Sequence, residues 1–86
     1  MQPYEIFLRS EAIEALRGIR ANQRGMVVRF IDALAEDPFV TGDYTSEDSV
    51  GRIICIKVLG SYAVTFWADH AAREIKITDI RSADRA

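Results

Sequence analysis

The sequence predicts an α+β fold: a small single domain, βααβββ, with a two-helix hairpin packed on one face of a mainly antiparallel twisted sheet. Three observations carry this. From Gly51 onward (GRIICIKVLGSYAVTFWADHAAREIKITDIRSADRA) three strand-like runs follow one another across two short turns. Apolar residues alternate within each: Ile54, Ile56 and Val58; Tyr62, Val64 and Phe66; Ile75 and Ile77. A period of two buries one sheet face and opens the other. Ahead of these runs, residues 10–36 repeat apolar positions at helical spacing, and Tyr4 to Arg9 alternates again.

In the first run Tyr4, Ile6 and Leu8 share a face. Ser10 reads as the N-cap of the first helix, and Glu11 and Glu14 suit the positive end of its dipole. Ala12, Ile13, Leu16 and Ile19 form its stripe. Gly18 interrupts it at a cost of roughly 1 kcal/mol relative to alanine, so either the helices approach closely there or the first helix is short. Ala21-Asn22-Gln23 reads as the break. A second helix follows from Gln23 to Ala35, with Met26, Val27, Phe30, Ile31 and Leu34 on one side. Asp37-Pro38 ends it, because proline disfavours helical geometry in the residue before it. Phe39 to Ser49, rich in Gly, Ser, Thr and Asp, reads as a loop tethered by Phe39, Val40 and Tyr44.

Strand parity decides which residues face outward. A three-residue connection Leu59-Gly60-Ser61 sets Ile54, Ile56 and Val58 on the buried face beside Tyr62, Val64 and Phe66. Cys55, Lys57, Ala63, Thr65 and Trp67 then lie on the open face, with Glu74, Lys76 and Thr78. The alternative two-residue Gly60-Ser61 turn buries Lys57 beside Val64, which is expensive without a partner. The odd loop is therefore expected. Ile80 breaks the odd-numbered phase of Ile75 and Ile77, which predicts a bulge or the strand's end.

Composition narrows the function classes. The 86 residues are 49 % apolar and 28 % charged with a net charge of −2, ordinary for a globular domain. Residues 37–49 hold Asp37, Asp43, Glu47 and Asp48 without a base, and the remaining cations are interleaved with acids. A concentrated basic stripe, the usual footprint of a nucleic-acid binder, is absent from this pattern. No secretory signal or membrane-spanning run is visible, and the lone Cys55 fits a reducing cytoplasm. One cysteine and one histidine do not make the usual zinc site, so neither metal nor cofactor is expected.

A strand ending at Ser10-Glu11-x-Ala, a helical hairpin closing in LAEDP (34–38), then GSYAVTF (60–66) and ITDIR (77–81), resembles the RelE/ParE toxins of bacterial type II toxin–antitoxin modules. The resemblance runs from Tyr4 to about Arg85. It implies a growth-inhibiting toxin neutralised by a cognate antitoxin, as a homodimer or a toxin–antitoxin hetero-oligomer. The implied target is either messenger RNA on the ribosome, cleaved by the RelE branch, or DNA gyrase, poisoned without catalysis by the ParE branch. The RelE branch meets the charge developing on the attacked phosphate with converging lysines and arginines. Lys57 matches one of those lysines, and Arg81 and Arg85 fall in the terminal arginine region. Cys55 and Ala63 stand where the family carries a lysine and an arginine, and no residue matches its late tyrosine or histidine. The expected catalytic set is therefore Lys57, Arg81 and Arg85, and the expected target- or antitoxin-binding set is Trp67, Lys76 and Thr65. A toxin fold without toxicity, an adaptor, is the alternative. Blander readings stand beside these: Lys57 as a solvated lysine, Trp67 as a satellite contact under the C-terminal tail, His70 as a plain turn residue, and Cys55 as inert.

Overall fold

In the computed structural model, which describes residues 2–83, the elements run β1 (Glu5–Leu8), α1 (Ser10–Arg17), α2 (Ala21–Glu36), β2 (Tyr44–Glu47), β3 (Ile53–Leu59), β4 (Tyr62–Asp69) and β5 (Glu74–Ser82). The sheet order is β1-β5-β4-β3-β2. Of the paired strands only β1 and β5 run parallel; the helical hairpin carries the chain from β1 at one edge to β2 at the other, and the antiparallel run β2 to β5 brings β5 back beside β1. Both helices lie against one face. Their Ala12, Ile19, Val27, Ile31 and Leu34 pack with Val64, Phe66, Ile75, Ile77 and Ile80 in the core. Phe30 meets Phe66 edge to face at 5.6 Å between ring centroids. Fully burying side chains of this size contributes about 1.5–3 kcal/mol each. The α+β class, the helical hairpin and its place on one sheet face agree with the sequence reading.

The helix boundaries shift. Ser10 is the first residue of α1, not its cap; Arg9 occupies the cap position without a side-chain bond, and the Ser10 hydroxyl turns to Glu11 instead. The break falls at Gly18 to Arg20, ahead of Ala21. Gly18 marks a short first helix rather than a close contact: its φ of −89° is ordinary, and an added Cβ would only touch the Ala15 carbonyl at 3.6 Å. From the first turn of α2, the Arg24 guanidinium donates to the carbonyls of Arg17 and Ile19, capping groups that the end of α1 leaves unpaired.

Two further differences reshape the sheet. The stretch Phe39 to Ser49 is not all loop, because Tyr44–Glu47 adds a fifth, edge strand to β3. All four of its residues are exposed, so no alternation announces it. The β3–β4 connection is the two-residue turn Gly60-Ser61, with Leu59 paired to Tyr62, Lys57 to Val64 and Cys55 to Phe66. Cys55 and Lys57 therefore face the helices, and Ile54, Ile56 and Val58 face outward, the reverse of the expected parity. Positive φ confined to Gly60 (59°) is the pattern of a type II′ hairpin turn. Gln23 of α2 accepts the Ser61 amide at 3.0 Å and fixes the turn against the helix.

Lys57 tolerates the inner face because it keeps a third of its side chain in water and reaches Asp43 at 3.5 Å. The expected phase slip is present. A bulge between Thr65 and Phe66 bypasses Thr78, whose hydroxyl donates to the Thr65 carbonyl at 3.3 Å, and returns Ile80 to the core.

Candidate functional site

The outer face of the sheet has no second layer among the described residues. Its centre is an apolar strip: Ile54, Ile56 and Val58 from β3, Ala63, Thr65 and Trp67 from β4, with Tyr44 beside Ile56 and Phe7 beyond β5. Trp67 pairs with Lys76, so Thr65, Trp67 and Lys76 are together here as expected.

The hairpin between β2 and β3 positions the tryptophan. Asp48 accepts the amides of Val50 and Arg52 through Oδ1 and the Arg52 Nε through Oδ2 at 2.7 Å. The aimed guanidinium lies 4.2 Å from the Trp67 ring centroid, a cation–π geometry. Asp48, Arg52 and Trp67 thus form one relay from a turn to the open face. The Arg52 amide holds the Asp48 carboxyl below the usual carboxylate range, with the other bonds adding to it. Asp43 works similarly at the other end of β2. Its carboxylate accepts the Val58 amide at 2.8 Å, which lowers its pKa, and continues the β3 ladder where the edge strand stops.

Among the described residues, the cations flanking this face stand beside carboxylates: Lys76 meets Glu74 at 2.8 Å, Arg81 meets Asp79 at 2.5 Å, Arg9 meets Glu11 at 3.6 Å, and Arg52 is held by Asp48. Lys76 also stands 4.6 Å over the Phe7 ring. Of the expected catalytic set, Arg81 pairs with Ala63 on the outer face and Lys57 with Val64 on the inner one, so these two stand on opposite faces. Arg85 lies outside the described residues. Among the described residues no group of three histidines, cysteines or acids converges to hold a metal, and no helix is long and apolar enough to cross a membrane.

Where the sheet runs past the end of α2, residues 38–41 cross β3 and β4 and leave a cavity of about 440 Å³. Ile53, Cys55 and Phe66 line it, with Arg52 and Trp67 at the rim. Cys55 is buried and its thiol pKa is pushed up by desolvation, which makes it a poor nucleophile. His70 has partners the sequence did not suggest: Phe39 stacks on its ring at 4.5 Å, and the Tyr4 hydroxyl bonds its Nδ1 at 3.0 Å.

A five-stranded sheet with one parallel edge and a helical hairpin over one face, the other uncovered among the described residues, defines a fold with known relatives, the RelE fold. The chain superposes on the archaeal RelE–RelB complex of Pyrococcus horikoshii with a TM-score of 0.81 at 20 % identity, over 98 % of this chain and 99 % of that one. It matches a RelBE toxin–antitoxin complex of Mycobacterium tuberculosis at 0.76 and 17 % identity, covering 93 % and 98 %. The RelBE complex of E. coli gives 0.75 at 14 %, covering 95 % and 99 %. No family model and no curated protein matches the sequence. At these identities the likeness is one of fold.

Proposed function

We propose that this chain is the toxin component of a type II toxin–antitoxin module that arrests growth by binding its target and is neutralised by a cognate antitoxin. The whole-length fold match to toxins in complex with antitoxins supports the class. One observation carries the mode of action: the open face presents an apolar strip with Trp67, and among the described residues the cations flanking it, Arg9, Arg52, Lys76 and Arg81, each stand beside a carboxylate. Stabilising a phosphorane-like transition state needs several uncommitted positive groups aimed at one point. Apolar area with self-compensated charge suits a protein contact instead. Gyrase fits this mode better than ribosome-bound message. The same missing cluster favours a second reading, a toxin fold retained as a non-toxic adaptor.

Pulse labelling of new protein and new DNA just after induction in a bacterial host separates these. Early loss of DNA synthesis supports the binding toxin. Early loss of protein synthesis returns the RNA-cleaving branch, with Lys57, Arg81 and Arg85 as the residues to mutate. Accumulation of folded protein with neither label falling selects the adaptor.

A further inference from the structure

The cavity beyond the end of α2 is floored by the inner side of the sheet and meets the open face at its Arg52–Trp67 rim, and its surroundings combine apolar exposure with acidic residues. Two large apolar side chains of its lining stand in the open: Phe39 is 72 % exposed and Ile53 55 %. Its floor, Cys55 and Phe66, is buried and apolar. Asp69 lines it, and three further acids adjoin its lining residues: Glu47 pairs in register with Ile53 on the same face, and Glu36 and Asp37 close α2 immediately before the lining segment.

The end of α2 is unfavourable as it stands. A helix C-terminus concentrates negative partial charge and normally attracts lysine or arginine. The last turn of α2 has no base, and it carries two acids there instead. The neighbouring guanidiniums are engaged elsewhere. Arg52 is held by Asp48, and Arg73 donates to the Gln2 carbonyl while lying over the Tyr4 ring. The described residues therefore show an apolar socket beside acidic groups for which no ion pair of their own is found.

We propose that this socket receives a protein segment of defined chemistry: a bulky apolar side chain entering between Phe39 and Ile53, flanked by lysines or arginines that meet Asp37, Glu47 and Asp69. The apolar anchor supplies affinity and the basic flanks supply orientation and encounter rate. For a chain of net charge −2, a basic partner segment is also the electrostatically complementary one.

Trp67, the sole tryptophan, stands at the rim and reports on occupancy. The test titrates the full chain with two dye-labelled peptides of about twelve residues that share a Phe-Leu centre and differ only in lysine or glutamate flanks. The lysine peptide binds at least about tenfold more tightly, perturbs Trp67 emission and weakens with added salt. Ile53→Ser abolishes its binding, and Asp37→Lys with Glu47→Lys weakens it about tenfold, a loss of opposite-charge contacts. All three positions are exposed, and far-UV circular dichroism verifies that the variants fold. Equal affinity for the two peptides, absence of binding, binding that leaves Trp67 emission unchanged, or indifference to these substitutions each overturns the proposal. The titration reads binding alone, so its outcome is independent of whether the chain arrests growth.

Discussion

The two faces of the sheet use similar residues to opposite ends. On the inner face Val64, Phe66, Ile75 and Ile77 are buried to within 1 % by the helices, and Lys57, the one strand cation there, survives at the margin by reaching Asp43. On the outer face Ile54, Ile56, Val58 and Trp67 stay partly exposed, and charges stand in neighbouring pairs around them. The inner face is committed to folding. The outer face keeps its apolar area available, and neutralising each cation locally keeps that surface from acting as a general polyanion trap. Stability and recognition are thus separable across one sheet, which makes the comparison open to direct attack.

The largest contrast lies in truncation. Phe66→Ala is expected to destabilise by about 3–5 kcal/mol in urea unfolding, whereas Ile56→Ala on the outer face costs under about 1.5 kcal/mol, since less area returns to water and no cavity forms. Similar losses at the two positions would erase the distinction. Gly60→Ala should cost about 1–2 kcal/mol, because its φ of 59° is left-handed and a Cβ would meet Gln23 Oε1 at 2.7 Å. Thermal melts check this. Acid sensitivity should map to β2. The Asp43 and Asp48 carboxyls have folded pKa values below their unfolded ones, so their contribution is complete above the ordinary carboxylate pKa of about 4 and is lost as pH falls through the lower folded value. Asp48→Asn should flatten the fall in melting temperature below about pH 4, and also alter Trp67 emission by loosening Arg52. The smallest effect is expected at Gly18→Ala, neutral to about 1 kcal/mol stabilising, because nothing there needs glycine.

The clean strands were legible from sequence and the ambiguous ones were not. β4 and the first half of β5 alternate, so Val64, Phe66, Ile75 and Ile77 were readable as core, and Thr65, Trp67 and Lys76 as one outward group. Even the bulge showed itself, through the phase of Ile80. β3 reads IICIKVL, apolar on both faces, and its parity rested on the expense of burying Lys57. That expense disappears once Asp43, fourteen residues earlier, supplies a partner. The edge strand Tyr44–Glu47 was invisible because a strand exposed on both sides has no periodicity to display. The cavity was equally hidden, since Phe39, Ile53 and His70 meet only after the segment following α2 has crossed the sheet.

The proposed mode of action has the outer face binding its target through Trp67 and its apolar neighbours rather than cleaving a phosphodiester. Growth after induction of three chains tests it most directly: the unaltered chain, Trp67→Ala, and Lys57→Ala with Arg81→Ala. The account predicts that the unaltered chain and the double variant arrest growth equally while Trp67→Ala, folded and at the same level, no longer does. Arrest that persists in Trp67→Ala but vanishes in the double variant would contradict it and restore catalysis to the cations.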